Sequence, residues 1–250
     1  MAKPPLGRTV AAWVKPASPQ SLALAEIGGL LLDAALVGLL VFALVDRIAP
    51  HQDLAWKPFS IDQPLGLATQ AKLARVGADP AACRAALRDV GIVSVDQPVR
   101  EDGFCSTRDT VRAQTRLSPA APVMTCPLAL RYAVWERQVL DPAAEHLLDS
   151  DLVRVEHLGT YACRTIYGRE GERPSQHASA SALDVSGVRL ADGRRLTIAA
   201  DFRKDSPEGR FLRVARAGAC ELFGAVLGPD YNAAHADHLH LDLSSYRLCR

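Results

Sequence analysis

The sequence has almost no net charge and contains no basic run. Its 29 Lys and Arg residues against 28 Asp and Glu residues give a formal net charge of +1 over 250 residues. Phosphate binding needs an excess or a stripe of basic side chains, so the composition argues against a nucleic-acid partner. Internal repeats and low-complexity tracts are also absent. Hydrophobic residues make up 48% of the chain, which is enough to bury a core.

The six cysteines form no C-x-x-C pair, which argues against a cysteine-ligated zinc finger or a thioredoxin-type motif. All six follow the apolar N-terminal segment, and their even number predicts up to three disulfides formed in an oxidising compartment. Reduced core cysteines are the alternative. The sequence does not fix which cysteines pair. They are Cys83, Cys105, Cys126, Cys163, Cys220 and Cys249.

One long hydrophobic run lies near the N-terminus, from Ile27 to Val45, with Asp33 as its only charge. At a rise of about 1.5 Å per residue, this run roughly spans the core of a bilayer. Lys3, Arg8 and Lys15 precede it, and basic residues stay on the cytoplasmic side. The pattern predicts a single-pass anchor in a bacterial inner membrane, with the C-terminal part in the periplasm. A cleaved signal peptide is the alternative, although no small-x-small cleavage site follows.

Composition and periodicity divide the chain into five parts. They are a cytoplasmic N-terminus (1–21), a transmembrane anchor (22–46), a proline-punctuated linker (47–66), a small subdomain (67–120) and a main domain (121–250). We expect helices over Ala68–Val90, from an N-cap at Thr125, and over Pro207–Gly224, and strands at Ile92–Val95 and Leu152–Leu158. Single helices alternating with short strands predict an α+β fold.

Four of the seven histidines fall in two short segments, Ser175–Ser186 and His235–Asp242. In the second segment, His238 and His240 alternate with leucines as in a strand, so both imidazoles project from one face. Such a pair can bind a metal, or one ring can bind while the other moves protons.

In the first segment, His177 and Asp184 are separated by a run of small residues that can fold back and leave room around the carboxylate. Together with His240 they form a three-ligand set suited to Zn2+, with a fourth position for water. Surface histidines or hydrogen-bonded core histidines are the alternative explanation.

Residues from about Cys126 to Asp242 resemble the bacterial extensin-like C-terminal domain family. The motifs that carry the resemblance are Thr125-Cys126-Pro127, Gly159-Thr-Tyr161-Ala-Cys163-Arg164, the run Ser175–Asp184 and the run Gly228–His240. This family in turn resembles the LAS metallopeptidases, which include lysostaphin, D-Ala-D-Ala carboxypeptidases and murein endopeptidases. Their S-x-H-x-x-G-x-A-x-D motif matches at Ser175, His177, Ala182 and Asp184, and their H-x-H motif matches at His238 and His240. Ala180 stands where the first motif has glycine.

The resemblance implies a LAS-like domain with a small antiparallel sheet flanked by helices. It implies that His177, Asp184 and His240 bind Zn2+ and that His238 acts as the general base. In some relatives an acid three residues before the last ligand is the base, which here is Asp237. Strand alternation favours His238, because Asp237 needs a bulge to turn inward.

Further roles follow from the same resemblance. Arg164 matches an arginine that binds the scissile carbonyl or a substrate carboxylate, a role that a fixed guanidinium suits; a surface arginine is the alternative. Ser175 is expected to support the ligands rather than attack, because neither segment contains a G-x-S-x-G nucleophile turn. Tyr231, Asn232 and His235 either line the cleft or simply form a turn.

These patterns together predict a membrane-anchored, periplasmic, zinc-dependent peptidoglycan peptidase that hydrolyses the amide bonds of murein peptides. Two alternatives stay open. One is a catalytically silent, zinc-stabilised domain that binds the cell wall, and the other is a disulfide-stabilised structural partner without metal. The motifs do not specify which peptide bond is cut.

Overall fold

The computed structural model describes residues 19–250. The chain divides into two compact units between Ala49 and Pro50, and each unit is described by itself. The basic residues Lys3, Arg8 and Lys15 lie outside the described residues, as does most of the predicted cytoplasmic segment. Its last three residues, 19–21, belong to the first helix.

The helices are α1 (Pro19–Ile48), α2 (Thr69–Gly77), α3 (Pro80–Asp89), α4 (Cys126–Trp135), α5 (Asp141–Leu148), α6 (Ile198–Asp201) and α7 (Pro207–Leu222). The strands are β1 (Ser94–Asp96), β2 (Thr110–Ala113), β3 (Leu117–Ser118), β4 (Val123–Thr125), β5 (Leu152–Gly159), β6 (Ala182–Leu190), β7 (Arg195–Thr197), β8 (Ala225–Leu227), β9 (Leu239–Asp242) and β10 (Leu248–Cys249). A π-helical turn, Glu136–Leu140, joins α4 to α5.

In the first unit, α1 carries an apolar segment, Glu26–Ile48, that is long enough to cross a membrane. The predicted run Ile27–Val45 lies wholly inside this segment. Its large side chains are not packed into a core; Leu30 and Leu40, for example, are 70% and 71% exposed. By length and composition the helix fits a membrane span, and a signal sequence near an N-terminus fits the same criteria.

The second unit, Pro50–Arg250, is built on two sheets. Strands β1, β2 and β4 form a small antiparallel sheet. The other seven strands form a larger sheet in the order β10-β8-β9-β6-β5-β3, with β7 beside part of β6. Its pairs are antiparallel except β10–β8 and β3–β5. The predicted α+β class is therefore confirmed.

The helices α4 and α7 pack against each other in the core. Trp135 in α4 is 1% exposed, and its Nε1 donates a hydrogen bond to the carbonyl of Ala215 in α7 at 2.9 Å. The ring of Phe223 meets the indole edge-on, with centroids 6.4 Å apart. The hydrogen bond allows the polar edge of the indole to be buried, so the apolar surface of both rings stabilises the fold.

The single helix predicted over Ala68–Val90 is wrong, because the structure has two helices there, α2 and α3. Pro80 prevents a continuous helix, since it lacks an N–H and its ring clashes with the preceding turn. The carboxylate of Asp79 instead caps α3 by accepting hydrogen bonds from the N–H groups of Ala81 (2.9 Å) and Ala82 (3.2 Å).

The other predicted elements are present with small shifts. The strand predicted at Ile92–Val95 is β1, which lies slightly later, and the helix predicted at Pro207–Gly224 is α7, which ends slightly earlier. Thr125 is the N-cap of α4, as predicted, but its hydroxyl makes no capping hydrogen bond. The strand predicted at Leu152–Leu158 is β5.

All six cysteines are paired, which confirms the prediction of three disulfides. The pairs are Cys83–Cys126, Cys105–Cys163 and Cys220–Cys249. The first joins α3 to α4, and the third joins α7 to β10. The second ties the turn that precedes β2 to the segment that follows β5. Each bridge therefore links elements distant in sequence, which is why the pairing was open before the fold was known.

Candidate functional site

The centre of the candidate site is a cross-strand pair on the larger sheet. Asp184 in β6 lies directly opposite His240 in β9, and residues opposite each other in antiparallel strands project from the same face. Oδ1 of Asp184 lies 2.9 Å from Nδ1 of His240. The neighbouring residues Leu183 and Val185 point the other way into the core, so hydrophobic alternation fixes which face the polar pair occupies.

His177 reaches this pair from a short 3₁₀ turn that precedes β6. Oγ of Ser175 accepts a hydrogen bond from the N–H of His177 at 3.3 Å at the start of the turn. At its end Ala180 adopts a left-handed conformation, with φ 55°, which reverses the chain. Nε2 of His177 therefore lies 3.2 Å from Oδ2 of Asp184 and 3.2 Å from Nδ1 of His240.

The three side chains present their donor atoms to one point. The ligand atoms of His177, Asp184 and His240 all lie within 4.8 Å of one another, and the closest separations are 2.9 to 3.2 Å. Tetrahedral zinc with bonds of about 2.0–2.1 Å places its ligands about 3.3 Å apart. Two imidazole nitrogens and one carboxylate are also donors that zinc prefers. The residues present therefore fit a zinc ion.

The imidazole rings of His177 and His240 each contact a hydrogen-bond acceptor on the side away from the shared point. Nδ1 of His177 lies 3.2 Å from the carbonyl oxygen of Thr160, and Nε2 of His240 lies 3.2 Å from Oδ2 of Asp242. A carbonyl and an ionised carboxylate only accept hydrogen bonds, so in each neutral ring the proton sits on the outer nitrogen. The inner nitrogen then directs its lone pair at the shared point, as in metal-binding histidines.

Asp242 and Thr160 are the two supporting residues that sequence reasoning missed. Asp242 is only 3% exposed and accepts hydrogen bonds from the N–H of Ala225 (3.0 Å) and from the N–H and Oγ of Ser244 (2.8 and 2.9 Å). The available signal was its spacing, because His240 and Asp242 alternate on one strand and so share a face. Thr160 contacts His177 through its backbone carbonyl, so its side-chain type gives no signal in the sequence.

Buried opposite charges set the electrostatics of the site. Burial lowers the pKa of His240, but the hydrogen bonds and charges of Asp184 and Asp242 outweigh burial and raise the pKa to about 9. Burial raises the pKa of Asp184, but the hydrogen bonds from His177 and His240 hold it well below its ordinary value. Asp184 therefore stays ionised and favours a positive charge at the centre of the site.

His238 lies beside the three residues, whereas Asp237 points toward solvent. Nε2 of His238 is 3.7 Å from Oδ1 of Asp184, and its side chain is 13% exposed. The side chain of Asp237 is 65% exposed, and its Oδ1 lies 2.8 Å from Nδ1 of His238. Of the two alternatives for a general base, His238 is thus the one next to the candidate ligands, and Asp237 is in a position to orient it.

His235 is a second imidazole on the same side of the site. It is 8% exposed, and its ring centroid lies 5.2 Å from that of His238. Asn232 links it to another loop, with Oδ1 2.7 Å from Nδ1 of His235 and Nδ2 donating to the hydroxyl of Tyr167 at 2.9 Å. Burial and then the charge of His238 lower the pKa of His235 to about 4. Tyr231 packs edge-on against His235, at 5.5 Å.

A cavity of about 480 Å³ lies in front of these residues. The sequence-predicted site residues that line it are Arg164, Ser175, Asp184, His235, His238 and His240. His177 is buried, at 3% exposure, and is not among the residues that line the cavity. Tyr231, Asn232 and Asp237 do not line it either, but they contact His235 or His238, which do. Tyr167, Arg173 and Tyr246 line it without having been predicted.

Comparison with protein families matches residues 81–250 to a family described as the extensin-like protein C-terminus. The match covers more than half of the chain and every residue of the candidate site. The chain belongs to this family. The match begins within α3, before the motifs that indicated the family, and its range includes both cysteines of the Cys83–Cys126 disulfide. No match is found among curated proteins or among solved structures.

Proposed function

We propose that this extensin-like protein is a membrane-anchored, periplasmic, zinc-dependent peptidase that hydrolyses the amide bonds of peptidoglycan peptides. The observation that carries the proposal is the convergence of His177, Asp184 and His240, each within 3.2 Å of another, at the edge of a cavity. The match of both histidine motifs to those of the LAS metallopeptidases supports peptide hydrolysis as the chemistry.

In this proposal His177, Asp184 and His240 hold the metal, and Thr160 and Asp242 orient the two rings. Zinc in such a site supplies a Lewis acid that activates water and polarises a carbonyl at neutral pH. The hydrogen bonds to Thr160 and Asp242 are important because each fixes which ring nitrogen carries the proton. Removing such a hydrogen bond typically weakens metal binding by roughly 10–100-fold.

His238 would act as the general base. The carboxylate of Asp237 accepts a hydrogen bond from Nδ1 of His238, so in the neutral ring Nε2 carries the lone pair. Nε2 lies on the side of Asp184. His238 would take a proton from the attacking water and deliver it to the leaving amine. A positioned base of this kind contributes roughly 10²–10⁴-fold to the rate.

Arg164 would stabilise the negative charge that develops on the substrate carbonyl. Its side chain is exposed and lines the cavity, and its positive charge contributes to the lowered pKa of His235. A guanidinium held near the reacting carbonyl favours the transition state over the neutral amide. Ser175 supports the turn that carries His177 rather than reacting.

Features of both units support the proposed location. Three disulfides indicate a compartment that oxidises thiols, and α1 is long and apolar enough to anchor the chain. A domain anchored next to the cell wall would meet its substrate at high local concentration without binding it tightly.

The test is digestion of purified peptidoglycan by the full chain in detergent micelles with added zinc, followed by mass spectrometry of the released muropeptides. We expect peptide cleavage by the wild type and by His146→Gln, a control for an exposed histidine in α5. We expect none by His240→Ala, and a rate lowered roughly 10²–10⁴-fold by His238→Gln. A wild type that holds zinc and leaves every peptide intact would contradict the proposal.

Replacement of the motif glycine by Ala180 would favour a silent wall-binding domain if it disrupted the turn that carries His177. Ala180 adopts the left-handed conformation that glycine favours, and the turn that carries His177 still brings Nε2 to Asp184. The replacement therefore does not by itself remove the site. Stoichiometric zinc without turnover in the digestion would favour the silent alternative.

A further inference from the structure

Residues 164–175, which we call the ribbon, form a hairpin loop beside the candidate site, and an isolated β-bridge joins its two ends. Thr165 and Pro174 form an antiparallel bridge, and residues adjacent to a bridging residue project from the opposite face of the ribbon. Arg164 and Arg173, which each precede a bridging residue, therefore share one face. Both arginines line the cavity in front of the histidines.

The geometry of the ribbon allows the two guanidinium groups to reach the same ligand. The N–H of Ser175 donates to the carbonyl of Arg164 at 3.1 Å, and the N–H of Ile166 donates to the carbonyl of Arg173 at 2.9 Å. These bonds make Arg164 and Arg173 diagonal neighbours, which lie about 7–8 Å apart in a regular antiparallel pair, with a somewhat smaller separation between their Cβ atoms. Long side chains span that distance easily.

Neither guanidinium has a counter-charge within residues 19–250. The side chains of Arg164 and Arg173 make no ion pair and no hydrogen bond to any described residue. Arg116, by contrast, pairs with Glu136 and Asp141. Two like charges on one face of a ribbon repel each other, so an anion placed between them is favourable. A negatively charged group placed between the two guanidinium groups would therefore be favourable at this end of the cavity.

We propose that Arg173 joins Arg164 in a receptor for one free carboxylate of the substrate peptide. This inference rests on the proposed function and names its substrate class: peptides whose C-terminal residue directly follows the scissile bond. A guanidinium matches a carboxylate through two parallel hydrogen bonds. Arg164 is also the group proposed to contact the scissile carbonyl. A carboxylate that binds both Arg164 and Arg173 must therefore be close to that carbonyl, as is the terminal carboxylate of the residue that follows the scissile bond.

The receptor makes the protein selective for a charged chain end. A peptide whose terminal carboxyl is amidated, or joined to another peptide, lacks the negative charge and loses charge-assisted hydrogen bonds to both arginines. We expect such a peptide to bind at least about tenfold more weakly, since charge-assisted bonds are the stronger class. The protein would therefore trim terminal residues rather than cut cross-links.

The test is a ligand-observed NMR titration of the full chain in detergent micelles with zinc removed, so that the carboxylate cannot bind a metal. The three probes are N-acetyl-D-Ala-D-Ala, its C-terminal amide, and N-acetyl-D-Ala-D-Glu amide, whose only carboxylate is on the side chain. We expect the first to bind at least about tenfold more tightly than the other two. Arg173→Gln should lower the ratio several-fold, because only Arg164 remains to bind the carboxylate, and Arg173→Lys should lower it less.

Arg169→Gln is the matched control, because Arg169 lies in the same ribbon but does not line the cavity; its guanidinium lies over the ring of Tyr167 at 5.4 Å. This variant should keep the wild-type ratio. Equal binding of the acid and both amides by the wild type would overturn the receptor, as would a wild-type ratio in Arg173→Gln. Preference for the side-chain carboxylate would overturn its assignment to the chain end.

Failure of the receptor is distinguishable from failure of the proposed function, because the titration needs neither zinc nor turnover. A protein that prefers the acid but cleaves no peptide contradicts only the peptidase. A protein that cleaves peptidoglycan peptides but binds acid and amide equally contradicts only the carboxylate receptor.

Discussion

Oδ2 of Asp242 accepts a hydrogen bond from Nε2 of His240 at 3.2 Å, on the side of the ring away from Asp184. The carboxylate therefore holds the ring with Nδ1 facing the candidate metal position. We expect Asp242→Asn to weaken zinc affinity by roughly 10–100-fold, because the amide is a poorer acceptor for the ring proton. Competition with a fluorescent zinc chelator measures the change. Asp205→Asn, which alters an exposed carboxylate, should keep the wild-type affinity, and equal affinities in both variants would contradict the support role.

His238→Gln and Asp237→Asn separate the two candidates for the general base. We expect His238→Gln to keep zinc affinity within a few-fold and to lower kcat by roughly 10²–10⁴-fold. Asp237→Asn should lower kcat much less, because its exposed carboxylate acts on the site only through Nδ1 of His238. Hydrolysis rates on a defined muropeptide measure both effects. The reverse order of the two losses would assign the base to Asp237.

Ala180 is fully buried with φ 55° and ψ 32°, a conformation that β-branched residues strongly disfavour. We expect Ala180→Val to lower the free energy of unfolding by about 2–4 kcal/mol, through backbone strain and overpacking. Ala180→Gly should change it by less than about 1 kcal/mol, since relief of strain offsets the loss of a buried methyl group.

Ala178→Val is the matched control for this pair, because Ala178 is also buried in the same turn but is not left-handed. Thermal unfolding followed by circular dichroism compares the variants. The two valine variants should differ by the cost of strain alone, about 1–2 kcal/mol, and an equal loss in both would show that conformation at Ala180 is not the cause.

Glu156 bridges two arginines that lie directly opposite each other on β6 and β7. It contacts Arg189 and Arg195, each at 2.7 Å, and their repulsion is relieved by its charge. The hydrogen bond from Arg195, opposed by burial and helped by Arg189, lowers the pKa of Glu156 from its ordinary 4.5. Its contribution to stability is therefore present above that value and is lost as the pH falls through the lowered pKa.

We expect Glu156→Gln to lower the free energy of unfolding by about 1 kcal/mol at pH 7. The difference from the wild type should shrink at acidic pH, because the wild-type carboxyl also becomes neutral as the pH falls through its lowered pKa. Urea unfolding at pH 7 and at acidic pH measures it. Glu170→Gln, at an exposed glutamate, should show no difference at either pH, and a pH-independent loss in Glu156→Gln would contradict the charge mechanism.

The sequence was informative where chemistry and spacing are local. Hydrophobic alternation places Asp184 and His240 on predictable faces of their strands. Each histidine motif is also short enough to be recognised within one local stretch of sequence. That the two motifs meet depends on the antiparallel pairing of β6 with β9, which no local pattern specifies. The resemblance to a family supplied this link at the outset, and the register Asp184↔His240 shows its physical basis.

Supporting groups were harder to predict because they act through the fold. The carbonyl of Thr160 carries no side-chain signal. Arg173 could be assigned a role only once the Thr165–Pro174 bridge showed that it shares a face with Arg164. The break before Pro80 was missed because hydrophobic spacing continues across it, although an Asp-Pro pair is itself a helix start. Disulfide pairing depends on which elements pack together, and so it also had to await the fold.

The zinc content of the purified full chain tests most directly whether His177, Asp184 and His240 share an ion. Elemental analysis after dialysis, with folding checked by circular dichroism, should find one zinc per chain in the wild type and in the control His146→Gln. It should find almost none in His240→Ala, which removes one of the three ligands. Zinc at the same level in His240→Ala as in the wild type, or no zinc in any of the three, would contradict a metal site at these residues.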